Sequence, residues 1–414
     1  MLLSLVVSVF SARYLGPSNY GLINYGVSLC NFFMAFCTLG INSVIVKEFL
    51  DNPDKQGEAL GSSILARILS SICSIFLIIG VSFLLDYGEW ETILVVALCS
   101  ISLLFHAFDT INCWFQSRYQ SNVTALVTFV AYAVMSVYKI VLLVTSRSVF
   151  WFAFATSVDY IALAALLLVA YKKNNGPKMC VSVERGKAIL GKSYHYILSG
   201  MMVSIYSQTD KLMIKQMLGD SEVGYYTVAV SLCTLWTFVL SAIIDSMYPS
   251  IVKAYEKGES EFHKKNRQLY AMVFYISICA SLFFVVVGEY VVQILYGKEF
   301  LPAATPLKIT TWYTAFSFLG VARNAWMVCN QKQKYIKYTY IFAIFINIGL
   351  NALLIPLWGV EGAALASLVT QIFTSIILPF FIKPIRRNSV LMLEAIMLRG
   401  IMPSKAKSTK KNTI

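Results

Sequence analysis

Charged side chains are scarce in this sequence: Asp, Glu, Lys and Arg make up 13% of its 414 residues, whereas soluble domains contain about 25%. Proline is limited to 10 residues and histidine to 3. Hydrophobic residues, by contrast, reach 58% and aromatic residues 14%. This balance excludes a soluble enzyme. It also excludes a disordered or fibrous chain, because such chains lack apolar surface to bury.

The sequence also lacks the usual motifs of catalysis and metal binding. It contains no P-loop, HExxH, GxSxG or GxGxxG motif, and its three histidines lie far apart. Eight of its nine cysteines lie in or beside apolar runs, where they serve as small packing residues, and Cys180 is alone in a polar loop. We therefore predict that the protein is not an enzyme and that it binds no metal and no cofactor.

Apolar runs separated by polar breaks predict an all-α integral membrane protein with about twelve transmembrane helices. The first run has 12 residues, which give about 18 Å of helix against a hydrocarbon core of about 30 Å, so we expect this first helix to be truncated. The predicted spans are residues 1–12, 20–45, 61–85, 92–114, 123–145, 149–171, 194–217, 224–248, 269–295, 304–328, 335–356 and 360–382.

The basic residues predict which side of the membrane holds the termini. With cytoplasmic N and C termini, 25 of the 34 Lys and Arg residues fall in inner segments and 5 in outer segments, as the positive-inside rule requires. The formal charge of +13 is then mostly a topology signal. We therefore predict no nucleic-acid partner.

An internal repeat divides the chain. The segment Leu15–Gly21 with Val27–Cys30 recurs as Leu218–Gly224 with Val230–Cys233, at a constant offset of 203 residues and with eight identities. The offset spans six helices, so both halves should have the same orientation and be related by an axis along the membrane normal. We predict two six-helix lobes, residues 1–171 and 193–383, joined by a cytoplasmic linker at 172–192 and followed by a basic cytoplasmic tail at 384–414. Residues 390–398 of that tail form either an interfacial helix or a solvated segment.

Ionisable residues inside apolar spans are costly and are therefore candidate functional residues. Snorkelling to the headgroups is an equally good explanation for Arg67 and Arg323, and Asp109 and Asp245 also lie near inner helix ends. Lys139, Asp159, Asp210 and Lys211 are harder to explain in this way. The candidates are Arg67, Asp109, Lys139, Asp159, Asp210, Lys211, Asp245 and Arg323.

Two interpretations of the deeper group remain open. Lys139 and Asp159 on adjacent helices could form a structural ion pair. Alternatively, the group lines a polar lumen, in which cations suit a phosphate or pyrophosphate head group and carboxylates bind a coupling proton or sodium ion. Asp210 and Lys211 are about 100° apart around one helix and cannot pair well with each other.

Several segments resemble a known family. Arg13–Gly21 (RYLGPSNYG) looks like the Arg-x-Leu-Gly-Pro-x-x-Tyr-Gly signature of polysaccharide biosynthesis proteins, the flippases of O-antigen and capsule repeat units. Similar pieces follow in the same order along the chain, at residues 209–214, 218–226, 296–300 and 356–364.

This resemblance implies a bacterial inner-membrane carrier with a MATE-like fold. Such a carrier moves undecaprenyl-diphosphate-linked oligosaccharides outward by alternating access, in contact with membrane lipids and with a possible polysaccharide polymerase complex. Asp210 and Lys211 match the family's acidic-basic pair in helix seven, and Arg13 matches the signature arginine. The alternatives are a drug or other lipid exporter of the same superfamily and a non-transporting subunit of a glycan assembly complex.

Overall fold

The computed structural model describes residues 2–399 of the chain, with side chains from residue 6, and every regular element in this range is helical. Short 3-10 turns and one π-helical turn, Phe373–Ile377, separate some of the α-helices. The α-helices are α1 (Leu2–Thr38), α2 (Asn42–Asp51), α3 (Gln56–Leu85), α4 (Trp90–Ser100), α5 (Ser102–His106), α6 (Thr110–Ser117), α7 (Ser121–Val144), α8 (Val149–Lys173), α9 (Val183–Leu218), α10 (Asp220–Thr234), α11 (Thr237–Lys257), α12 (Glu259–Tyr296), α13 (Ala304–Cys329), α14 (Ile336–Ile372), α15 (Leu378–Phe381) and α16 (Arg386–Ile396).

Eight helical segments in the described part of the chain are long and apolar enough to cross a membrane. Two predicted spans, at α9 and α13, are not among them, because hydroxyl, tyrosine and charged side chains interrupt their apolar runs. The eight segments are Val6–Asp51, Pro53–Leu85, Trp90–Ser117, Ser121–Val144, Val149–Lys173, Asp220–Lys257, Glu259–Tyr296 and Gln333–Phe381. Several exceed the roughly 20 residues of one crossing. The chain is thus an all-helical membrane protein; twelve crossings and cytoplasmic termini stay predictions.

Glycines break the helices at the two copies of the repeat. Gly16, within α1, has φ 72° and ψ 172°, and Gly219, between α9 and α10, has φ 104° and ψ −176°. This combination is open essentially only to glycine. Pro17 opens the second part of α1, a position where its missing N–H costs nothing. The repeat found in the sequence is therefore also a repeat of backbone conformation.

The contacts divide the described residues into two compact units. The first runs to Thr227 and includes Val292–Pro302; the second comprises Val228–Val291 and the chain from Ala303 onward. In the first unit, serine hydroxyls on one helix donate to backbone carbonyls of another: Ser71 to Leu103 at 2.9 Å and Ser157 to Leu98 at 2.6 Å. Such bonds contribute about 0.6 kcal/mol each inside a membrane.

The segment between α8 and α9 is bound to the first unit. Only residues 174–182 of the predicted linker are non-helical, because α8 extends to Lys173 and α9 begins at Val183. Ser62 and Ser182 exchange two hydrogen bonds, of 2.9 and 2.8 Å. Buried Glu48 forms ion pairs of 2.8 Å with both Arg185 and Lys192.

The core of the second unit includes the start of the predicted tail. Helix α16 buries Leu391, Met392 and Ala395 in one cluster with Tyr270 and Leu319. The burial of these three side chains contradicts the solvated alternative for residues 390–398, whereas the interfacial alternative stays a prediction. Apolar residues at i, i+1 and i+4 form one face of a helix, and the second unit supplies a surface that covers it. The rest of the tail from residue 400 lies outside the described residues.

Candidate functional site

A cavity of about 270 Å³ lies inside the first unit, among α1, α7 and α8, with a mostly apolar wall that contains several polar side chains. Its lining includes Lys139 of α7 and Asp159 of α8, whose Nζ and Oδ2 atoms are 2.7 Å apart. Both side chains are 27% exposed. The two interpretations of Lys139 and Asp159 are thus compatible, because the ion pair is formed and also borders a hollow.

Asp159 lies between two hollows. A second cavity of about 250 Å³ has Asp159 in its wall together with Tyr132, Met135 and Tyr160, and Tyr132 and Met135 also line the first cavity. Asp159 is therefore part of the wall of both spaces. An ion pair in a dry apolar interior is unfavourable unless its geometry and hydrogen bonding are good. Adjacent hollows large enough for water lower that cost.

Asp210 and Lys211 have different surroundings on α9. Buried Asp210 accepts a 2.6 Å hydrogen bond from the Tyr226 hydroxyl of α10. Lys211 is half-buried, and no carboxylate of the described residues lies within ion-pair distance of its ammonium. Because the Tyr226 contact fixes Asp210, Lys211 projects from a different side of α9.

Arg67 and Arg323 are buried in separate units. Arg67 is 1% exposed, and its guanidinium donates to Thr110 Oγ1 at 2.7 Å, to Asn42 Oδ1 at 3.0 Å and to the His106 carbonyl at 3.2 Å. It therefore connects α2, α3 and α6 within the protein, and snorkelling does not describe it. Arg67 is not part of the Lys139 cavity lining.

Arg323 has fewer partners in the second unit. It is 7% exposed and donates to the Thr374 carbonyl, in the π-helical turn, at 3.2 Å and to Thr339 Oγ1 at 3.3 Å. A π-helical turn leaves main-chain carbonyls without the usual helical partner, and here one of them accepts from the guanidinium.

The remaining predicted residues lie apart from the cavity. Asp245 is exposed on α11, and Asp109 accepts a short hydrogen bond from Asn112. Exposed Arg13 donates to the carbonyls of Ile294 and Leu295 at the end of α12. The predicted site residues are therefore not brought together in one place within the described chain. No group of three or more His, Cys, Asp or Glu side chains that could hold a metal ion occurs among the described residues.

A cluster of ionic and polar groups near the repeat was not predicted from the sequence. Lys215 of α9, 6% exposed, lies 2.7 Å from Glu89 and 2.9 Å from Asp220. The hydrogen bond from Lys215 lowers the pKa of the Glu89 carboxyl below its usual value. The signals were present, since Glu89 belongs to an acidic turn and Lys215 is one of the few cations that are both predicted to lie on the outer side. The sequence did not show that they meet.

Asp86 is the centre of a second set of contacts in this cluster. Its carboxylate accepts from Tyr25 at 3.0 Å, from Ser82 at 2.9 Å and from Gln216 at 2.7 Å. Tyr25 is fully buried and Asp86 is 4% exposed. These bonds join α1, the end of α3 and the end of α9. A buried carboxylate with three donors is well satisfied.

The two copies of the repeat also contact each other through glycine. A methyl group added at Gly21 would collide with the Asp220 carbonyl oxygen, and one added at Gly224 would collide with the Pro17 carbonyl oxygen. Pro17 matches Asp220 and Gly21 matches Gly224 at the offset of 203. Each copy therefore presents the same glycine to the same position of the other, as in a self-complementary twofold interface.

Comparisons with known sequences identify relatives. A family model described as "Polysaccharide biosynthesis protein" matches residues 10–305. The "Capsular polysaccharide biosynthesis protein CapF" of Staphylococcus aureus is 21% identical over 380 residues, which cover 89% of this chain and 92% of that protein. A "Putative O-antigen transporter" of Salmonella typhi is 22% identical over 185 residues, 42% of each chain.

Comparisons with solved structures identify the fold. An inward-facing multidrug resistance MATE family transporter of the MOP superfamily matches with a TM-score of 0.75 at 15% identity, covering 94% of both chains. The lipid II flippase MurJ in an inward closed conformation matches with a TM-score of 0.74 at 15% identity, covering 96% of this chain and 89% of the other. At this identity the likeness shows the fold alone, and it confirms the predicted MATE-like architecture.

Proposed function

Because the chain belongs to the polysaccharide biosynthesis protein family, we propose that it is a flippase that moves undecaprenyl-diphosphate-linked oligosaccharides across the bacterial inner membrane. The cargo supplies repeat units for a surface polysaccharide such as O-antigen or capsule. The protein works by transport and not by catalysis. It crosses the membrane twelve times as two six-helix lobes with cytoplasmic termini, and it works beside a polysaccharide polymerase. Similarity to CapF and to the O-antigen transporter supports this proposal.

The observation that carries the mechanism is the Lys139–Asp159 pair at its cavity. A charge inside a transmembrane segment is costly, so two charges beside hollows that can hold water are candidates for a functional role. Asp159 takes up a proton or another cation from the cavity. That step releases Lys139, whose ammonium then faces the hollow without its counter-ion.

Lys211 is the proposed contact for the diphosphate. Its ammonium lacks an ion-pair partner among the described residues, while the neighbouring Asp210 is held by Tyr226. Diphosphate oxygens accept strong charge-assisted hydrogen bonds from such a group. Arg67, Arg323 and Arg13 are less suited to this role, because their guanidinium groups already donate to protein oxygens.

Alternating access requires that the outer contacts separate. The glycine contacts between the two repeats and the Lys215 and Asp86 contacts all lie near the predicted outer turns. In this proposal they hold that end closed in one of the two states. Release of the cargo to the outer side requires them to open, and loading requires them to form again.

The test is translocation of an undecaprenyl-diphosphate oligosaccharide by the purified full-length protein in liposomes, read out by an enzyme that trims only exposed glycans. Lys211→Gln should slow translocation about tenfold, because a lost charge-assisted hydrogen bond costs about 1.5–3 kcal/mol. Asp159→Asn should abolish the response to an imposed pH or sodium gradient. Lys187→Gln is the matched control, since Lys187 is an exposed lysine on the same helix.

Other results would contradict the proposed residue roles or assign a different function. Normal translocation by Lys211→Gln, Lys139→Gln and Asp159→Asn would contradict the proposed roles of these residues. Export of small organic cations without glycan movement would indicate a drug exporter. If the purified protein moves neither, while its loss abolishes surface polysaccharide in cells, it is a non-transporting subunit of an assembly complex.

A further inference from the structure

A third cavity, unrelated to the Lys139 pair, lies in the second unit. It has a volume of about 440 Å³, within the range of about 300–1,000 Å³ that is typical of small-molecule sites. Four chain segments form it: the last turn of α11, the first turns of α12, the end of α13 with the following turn, and the start of α16. Its lining residues include Tyr255, Glu259, His263, Trp326, Lys332 and Arg387.

The cavity lies near the ends of apolar helical segments, a position that predicts a place at the membrane surface. Its residues are close to the ends of three apolar segments, Asp220–Lys257, Glu259–Tyr296 and Gln333–Phe381. The same ends carry many basic residues, which assign them to the cytoplasmic side by the positive-inside rule. The phosphate groups of phospholipids lie at this depth. Basic pockets between membrane helices on the cytoplasmic side are suited to anionic headgroups.

The charges around the cavity favour an anion. Lys332 has no ion-pair partner among the described residues. Arg387 shares the Glu394 carboxylate, at 3.3 Å, with Arg267, at 2.7 Å, so one carboxylate serves two guanidinium groups. The acid in the lining, Glu259, has a side chain that is 82% exposed.

The cavity also has an apolar wall. Phe262 is 2% exposed and Trp326 is 4% exposed, and both line the cavity. The buried indole N–H of Trp326 has no acceptor in the described structure. Aromatic and basic side chains in one cavity suit a ligand that joins a phosphate to an apolar body.

We propose that this cavity binds a phosphate ester, with Lys332 and Arg387 contacting the phosphate and Phe262 and Trp326 packing against the organic part. An anionic phospholipid of the inner leaflet and a water-soluble phosphate share this chemistry. The site is separate from the proposed transport residues. Its occupant would hold α11, α12, α13 and α16 together at the cytoplasmic surface.

Native mass spectrometry of the full-length protein tests the site, with phosphatidylglycerol, diacylglycerol and inorganic phosphate as separate probes. Phosphatidylglycerol should bind the unmodified protein about tenfold more tightly than the Lys332→Gln/Arg387→Gln variant, since two charged contacts are lost. Diacylglycerol, which has no phosphate, should bind both proteins equally weakly. The matched control is Lys334→Gln/Lys337→Gln, which removes the same charge from neighbours that do not line the cavity.

Inorganic phosphate distinguishes the two sources. If millimolar phosphate displaces phosphatidylglycerol, the phosphate group alone is sufficient for binding. If phosphate does not compete while the lipid binding still depends on Lys332 and Arg387, the site is specific for a lipid. Equal phosphatidylglycerol binding by both double variants and the unmodified protein would overturn the proposal, and so would equal losses in the two double variants.

A single variant covers the case in which loss of Arg387 disturbs the Glu394 contacts. Lys332→Gln removes no ion pair among the described residues and should weaken phosphatidylglycerol binding about threefold. Unchanged binding in this folded variant would also overturn the proposal. These measurements involve no transport, so their failure would leave the proposed flippase function unaffected.

Discussion

The two copies of the repeated turn have the same backbone and different polar contacts. Gly16 and Gly219 share a positive φ with an extended ψ, and Gly21 and Gly224 approach equivalent carbonyls of the other copy. At the position of Pro17, however, the second copy has Asp220, which pairs with Lys215. The first copy thus begins its helix with a proline and the second with an ion pair.

A second difference concerns the residue three positions before the glycine. Arg13 in the first copy donates to the carbonyls at the end of α12, whereas Gln216 in the second donates to Asp86. Lys215 corresponds to the fully buried Ala12. The backbone at the glycines is preserved because few residues can replace them. The polar partners differ, and each copy has different neighbours.

The largest expected effect comes from filling the glycine contacts. In Gly21→Ala/Gly224→Ala the new methyl groups would collide with backbone oxygens of the opposite copy, and overpacking costs about 1–3 kcal/mol at each site. Thermal unfolding in detergent should show a clear decrease in Tm. In the control Gly80→Ala, the methyl group meets no atom within 4 Å, and we expect a stabilisation of about 0.5–1 kcal/mol. Equal Tm values for the two proteins would disprove the contact.

Removal of the second copy's cation should have the next largest effect. Lys215→Met leaves Glu89 and Asp220 without their shared counter-ion. Breaking a fully buried pair costs about 3–5 kcal/mol, but Glu89 is 55% exposed, so we expect about 1–3 kcal/mol. Lys308→Met, which disrupts the exposed pair with Glu289, is the control and should have almost no effect on thermal unfolding. A similar small effect for Lys215→Met would mean that solvent already screens the cluster.

Alanine at the two positive-φ glycines should have equal effects in the two copies. Gly16→Ala and Gly219→Ala each introduce backbone strain of about 1–2 kcal/mol, because alanine is unfavourable at these positive φ values. No steric clash adds to it, since an added Cβ meets no atom closer than 3.6 Å at Gly16 and none within 4 Å at Gly219. Thermal unfolding compares the two variants with Gly191→Ala, a helical control whose added Cβ also meets nothing within 4 Å. Unequal effects would show that the copies differ in backbone strain as well as in side chains.

The smallest effect is a pH dependence confined to the second copy. The pKa of Glu89 is lowered in the folded protein by Lys215, so its stabilising contribution is present above the usual glutamate pKa of about 4.3 and is lost as pH falls through the lowered value. Solvent screening limits it to less than about 1 kcal/mol. Thermal unfolding from pH 6 down to pH 3 should show a smaller decrease in Tm for Glu89→Gln than for the unmodified protein. Identical profiles would contradict this contribution.

The sequence was a good guide to membrane character and family, and a poorer guide to individual charged residues. Long apolar runs and the signature motif predicted a helical carrier with a MATE-like fold, because hydropathy and glycine requirements are local properties. Arg67 and Lys139 were both candidates because they lie in apolar runs, although snorkelling explained Arg67 equally well. The structure separates them: Arg67 is buried among Asn42, Thr110 and His106, whereas Lys139 borders a cavity.

The sequence by itself determined the helical membrane architecture and the position of the repeated turns, since both follow from the order of apolar residues and glycines along the chain. Only the tertiary structure decided which charges meet. Lys215 and Glu89 are 126 positions apart, and Asp86 and Gln216 are 130 apart. Contacts over such distances depend on how the helices pack, and neither hydropathy nor spacing within one helix contains that information.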